Sequence, residues 1–76
     1  MEIKVLGPGC PKCKKAEALV REAVAEAGSD AQVEKVSDIL EIAKYGPLAT
    51  PAVIVDGQVK ISGKVPRKKD VLSWLK

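Results

Sequence analysis

The sequence contains no histidine, no phenylalanine, one tryptophan, one tyrosine and only two cysteines. Without histidine or a third cysteine, one chain offers two soft ligands, too few for a closed tetrahedral zinc site. Without phenylalanine, the core must be aliphatic. Cys10 and Cys13 close only a tiny loop, worth about 2 kcal/mol by the chain-entropy relation against about 4.7 kcal/mol for a loop of about 100 residues. A disulfide-stapled secreted scaffold is therefore a poor fit. No apolar run approaches a membrane span, and no charged-then-apolar leader precedes the first strand. The expectations are a cytoplasmic protein and no membrane partner. The basic end lacks interleaved aromatics, which argues against nucleic acid.

What is present fits one small domain spanning residues 1–76, with 46% apolar residues and a net charge of +3. The charge is uneven. Residues 57–76 carry six basic groups and one acid, whereas residues 21–56 carry three basic and seven acidic groups.

Glu2 to Leu6 alternates and ends in an apolar pair, which predicts a strand; Gly7-Pro8-Gly9 then predicts a loop. Pro11 suits a first helical position, since its missing N–H is no loss there. The helix should run to about Ala27 and close on Gly28. Ala16, Leu19, Val20, Ala23, Val24 and Ala27 form a helical stripe that Cys13 extends backward. Cys13 should therefore face the core and Cys10 the solvent.

Ala31 to Val36 predicts a short, half-polar edge strand. Ser37 or Asp38 should cap a second helix, with Asp38 and Glu41 in capping-box spacing. Ile39, Ile42 and Ala43 give that helix its buried side, and Tyr45-Gly46-Pro47 ends it. Thr50-Pro51 leads into Ala52–Val55, apolar enough for a central strand. Asp56-Gly57 is a strong hairpin signal, after which Gln58 to Ile61 returns antiparallel. Ser62 to Pro66 loops into a last helix with Val71, Leu72 and Leu75 inward and Trp74 as a core lid. The order is β-α-β-α-β-β-α, an α/β chain whose first βαβ unit requires a parallel pair.

The Cys10-Pro11-Lys12-Cys13 segment carries the chemistry. A thiol just ahead of a helix meets unpaired N–H groups and the positive end of the macrodipole, which favour thiolate. Neighbouring thiols on a regular helix stand about 5–6 Å apart at Cβ, against about 3.5–4.5 Å in a disulfide. A non-helical cap lets Cys10 approach, so a reversible dithiol–disulfide pair is the direct reading.

Three segments together resemble the thioredoxin fold in its smallest, glutaredoxin-like form: Gly7 to Cys13, Thr50 to Gly57, and Gly63 to Pro66. The likeness is to the small thioredoxin-like redox-active disulfide proteins of archaea and bacteria. It implies a minimal thioredoxin fold, a four-stranded mixed sheet with helices on both faces. It also implies a cis peptide bond before Pro51 and a Thr50 backbone that offers hydrogen bonds to an extended substrate segment. The residues alone also allow Pro51 simply to start a strand.

Two departures stand out. Thioredoxins carry a buried acid where this chain has Lys4, so Cys13 must lose its proton by another route. Glutaredoxins carry an aromatic and acidic residues where this chain has Lys12 and Lys64, so glutathione recognition is not implied.

The expected activity is protein dithiol–disulfide exchange without a cofactor, with Cys10 as nucleophile and Cys13 as resolving thiol. Pro11, Lys12, Thr50, Pro51, Gly63 and Lys64 form the expected substrate-binding surface. The expected partners are a disulfide-containing protein and an upstream thiol or flavin reductase, and the chain is expected to be a monomer. The weighed alternatives are Cu(I) or zinc handling by the cysteine pair and a non-catalytic interaction domain. Arg67-Lys68-Lys69 crowds a helix start, where positive charge opposes the macrodipole. The resemblance implies that the Gly63 loop lies near the cysteine pair, so Lys64 and Arg67 with Lys12 suggest a basic rim for an acidic partner.

Overall fold

The structure, a computed structural model, describes residues 1–9, 11–46 and 49–75. Two expectations, the exposure of Cys10 and the part of Pro47 in ending the second helix, lie outside the described residues.

The elements follow the expected order: β1 (Glu2–Leu6), α1 (Pro11–Ala27), β2 (Gln32–Val36), α2 (Ile39–Ala43), β3 (Ala52–Val55), β4 (Gln58–Ser62) and α3 (Lys68–Trp74). They build one four-stranded sheet in the order β2-β1-β3-β4. β1 runs parallel to β2 and antiparallel to β3, and β3 pairs antiparallel with β4. This is the mixed α/β sheet of the minimal thioredoxin fold. The half-polar β2 is indeed an edge strand, and β3 is buried at all its positions.

Strand alternation divides the core in two. Ile3 and Val5 of β1, with Val53 and Val55 of β3, face α1 and α3 and pack with Ala16, Val20, Ala23, Val24 and Val71. Leu6, Ala52 and Ile54 face the other way and pack with Ile42 of α2. Each fully buried Val, Leu or Ile contributes about 1.5–3 kcal/mol of hydrophobic stabilisation, so the larger α1–sheet–α3 layer dominates. Leu72, Trp74 and Leu75 close its margin, partly buried.

The predicted terminators act as the backbone requires. Gly28 adopts φ +64, and the N–H of Ser29 donates to the Val24 carbonyl at 3.1 Å, closing α1. Asp56 and Gly57 take φ +48 and +83, the paired positive values of a tight hairpin turn. Asp56 also clasps the start of β1: its N–H donates to Glu2 O, and its carboxylate accepts from Glu2 N, both at 2.8 Å.

Several expectations need correction. Ala27 is exposed, because it lies at the fraying end of α1 beyond the sheet's cover. In α2 only Ile42 is buried; Ala43 is exposed and Ile39 is 69% exposed. A helix of five residues presents little more than one side chain to so small a core layer. The Asp38 carboxylate accepts from Leu40 N at 2.9 Å, while Glu41 bonds Lys44, so the capping is a single contact and not the reciprocal box. β4 extends to Ser62, with a bulge at Lys60: Val53 pairs with Ile61 but Ile54 with Val59.

The basic start of α3 also has a structural use that its sequence hides. Lys68 donates to Glu22 at 2.7 Å and pairs with Glu26, tying α3 to the exposed side of α1. Asp70 accepts from the Arg67 amide at 3.4 Å, returning negative charge to the first turn.

Candidate active site

The candidate site forms at the end of the sheet where β1 and β2 finish. Gly7 continues the β1–β2 ladder one residue further, donating to the Val36 carbonyl at 2.9 Å. On the other side of β1 the β1–β3 register ends with Leu6 paired to Ala52, the residue after Pro51. Gly7 thus stands at the edge where the pairings of β1 with β2 and β3 both finish at Leu6.

Cys13 sits on that residue. It lies in the first turn of α1 and is 2% exposed, as the helical stripe predicts. A Cβ placed on Gly7 would fall 2.7 Å from Cys13 Cβ and closer still to its sulfur. The sulfur therefore rests directly against backbone at the end of the sheet. Pro11 and Lys12, at the entrance of α1, are exposed, as are Lys14 and Lys15.

The Thr50–Pro51 peptide bond is cis, as the resemblance implies, and Pro51 is buried while Thr50 is half-buried. Gly63 holds this bend. Its N–H is shared between the carbonyls of Ala49 at 3.0 Å and Pro51 at 2.9 Å, and its φ of +81 suits glycine. Pro11 at the start of α1 and the loops that carry Thr50, Pro51 and Gly63 therefore lie at one end of the sheet. Lys64 follows Gly63 and is exposed, as is Arg67.

Lys4 takes no part in this cluster. It lies on the α2 side of β1, where its ammonium donates to the Tyr45 hydroxyl at 3.1 Å and stands 5.8 Å from the ring centroid. The Tyr45 hydrogen bond, more than any nearby charge, raises its pKa above the ordinary lysine value. The group is a persistent cation and not a proton acceptor. A cleft of about 310 Å³ opens beside it, lined by Glu34, Asp38, Glu41 and Tyr45 among others, and among the described residues none of the predicted site residues lines that cleft.

Sequence reasoning placed Gly7 in a loop but missed its contact with Cys13. A glycine three positions ahead of the first cysteine is the only local signal, and it reads equally well as a turn residue.

Comparison with known proteins shows the family. The family model described as a thioredoxin domain matches residues 1–76. A thioredoxin of Methanothermobacter thermautotrophicus is 41% identical over 71 residues, covering 93% of this chain and 92% of the relative. A thioredoxin of Methanocaldococcus jannaschii is 39% identical over 74 residues, covering 97% and 85%. A probable thioredoxin of Methanothermobacter marburgensis is 35% identical over 65 residues, covering 82% and 76%. The chain belongs to the thioredoxin family, and its activity is thiol–disulfide exchange.

Proposed function

We propose that Cys10 is the attacking thiol, Cys13 the resolving thiol, and a disulfide-containing protein the substrate. The observation that carries the reading is the burial of Cys13 at 2% exposure, three positions in sequence after the other cysteine. A sulfur so enclosed meets a bulky partner poorly, but it suits attack on a disulfide already delivered to its neighbour.

The steps balance without a cofactor. Cys10 thiolate attacks one sulfur of the partner disulfide, forming a mixed disulfide and releasing a partner thiolate. Cys13, as thiolate, attacks Cys10 sulfur and expels the second partner thiolate. The chain is oxidised to its internal disulfide, and the partner gains two electrons and, on protonation, becomes a dithiol. Run backwards, the same steps oxidise a partner. An upstream thiol or flavin reductase would return the chain to the dithiol.

In this reading the α1 N-terminus favours the Cys10 thiolate, while Pro11 and Lys12 flank it. Thr50 beside cis-Pro51, held by Gly63, offers a short backbone edge to an extended segment of the partner. Lys64 lies on the same rim.

Trapping tests the assignment. Cys13→Ser should hold the partner on Cys10 as a stable mixed disulfide, and iodoacetamide should label Cys10 before Cys13 in the native protein. Equal labelling, or a Cys10 that titrates like an ordinary thiol, would sink the mechanism.

A further inference from the structure

We propose that Gly7 is the positioning residue for the resolving sulfur: the space left by its missing side chain is the seat of Cys13 Sγ. The proposal deepens the preceding reading and rests on its assignment of Cys13.

The reason for glycine here is room and not backbone freedom. Gly9, Gly28, Gly46, Gly57 and Gly63 all adopt positive φ, whereas Gly7 does not. Its φ lies outside the left-handed region that favours glycine. The space is what is not: a Cβ at Gly7 would meet the Cys13 sulfur and stand 2.7 Å from Cys13 Cβ, a separation that real side chains do not tolerate.

Neither wall of the seat has slack. Gly7 is itself buried, between fully buried Leu6 and the hydrogen bond to Val36 O at 2.9 Å. On the opposite side, Ala16, Val20 and Ala23 are each 0% exposed and fix α1 against the sheet. A methyl group at Gly7 must therefore displace the Cys13 side chain or lift the first turn of α1, because close-packed surroundings do not absorb half an atom's width. The nearest atoms in the way are those of the Cys13 side chain, and when that side chain yields, the step that uses Cys13 suffers while the helix entrance beside Cys10 keeps its place. An error of about 1 Å in a reacting atom can cost about 100-fold in rate.

Dithiobis(nitrobenzoate), supplied at less than one equivalent to the reduced protein, separates the two steps. Attack by Cys10 thiolate releases one nitrothiobenzoate and leaves the other joined to Cys10. Attack by Cys13 thiolate on Cys10 sulfur releases the second and forms the internal disulfide. Gly7→Ala should leave the first release within about twofold of the parent and slow the second about 10- to 100-fold. A second release within about twofold of the parent overturns the proposal, and so does equal slowing of both releases, which marks a merely structural role. Cys13→Ser serves as the control: if it still gives both releases at the parent rates, the assignment of Cys13 itself fails, whatever Gly7→Ala does.

A second measurement covers a Gly7→Ala protein that folds poorly. In a Cys13→Gly background the nearest atom of residue 13 is its Cα, at an ordinary 3.8 Å from the added methyl. Gly7→Ala should then lower the urea midpoint by less than half as much as it does with Cys13 in place. An equal loss in both backgrounds shows that Gly7 does not serve the Cys13 side chain, and overturns the proposal.

Discussion

The amide of Gly63 donates to the carbonyl of Pro51 at 2.9 Å, joining the loop before α3 to the bend before β3. That single N–H also reaches Ala49 O at 3.0 Å, so it bridges the residues on either side of Thr50. The bend at Thr50–Pro51, proposed above to seat a substrate segment, is therefore held from a loop remote in sequence.

Gly63→Ala tests that support. Gly63 has φ +81, and an added Cβ would stand 3.1 Å from Ala49 Cβ. The substitution should cost about 1–3 kcal/mol in urea denaturation, the cost of a side chain in a sparsely allowed backbone region. Turnover of a protein disulfide should fall more than reaction with a small aromatic disulfide. Unchanged stability would show that the loop relaxes freely.

The two isoleucines that look alike in sequence should differ in energy. Ile54 is 1% exposed and Ile39 69% exposed. Ile54→Ala should destabilise by about 2–5 kcal/mol and Ile39→Ala by less than about 0.5 kcal/mol. Comparable losses in chemical denaturation would contradict the exposed placement of Ile39.

Lys68 should stabilise the α1–α3 contact in a pH-dependent way. Its pKa is raised, first by the hydrogen bond to Glu22 and then by that to Glu26. A raised folded-state pKa means that the contribution is complete below the unfolded lysine value, about 10.4, and is lost as pH climbs through the folded value. Lys68→Met should therefore unfold more readily than the parent at neutral pH, and the two unfolding midpoints should converge in strong alkali. A gap that persists there would mean that lost packing, and not the ion pairs, caused the difference.

The basic rim gives a kinetic prediction. If Lys64 and Arg67 steer an acidic partner, reversing both to Glu should slow the reaction with the physiological partner and flatten its salt dependence. Because both side chains are exposed, the fold should be unaffected. Unchanged rates across ionic strength would leave them as ordinary surface charges.

Local rules of the chain settled much of this protein. The stripe from Cys13 to Val24 fixed the inward face of α1, Gly28 its end, and Asp56-Gly57 the hairpin, because each depends on neighbours a few residues apart. The same stripe put Cys13 inside. Packing between distant segments decided the rest. Which side of α2 is buried turned on a small second core that only Ile42 enters, and five residues carry too little periodicity to reveal it. Lys68 opposes a helix dipole when read along the chain and completes ion pairs with Glu22 and Glu26 once α3 lies on α1. Gly7 reads as one more turn glycine until the fold brings the Cys13 sulfur against it, since sequence spacing encodes backbone freedom but not the room that a remote side chain will need.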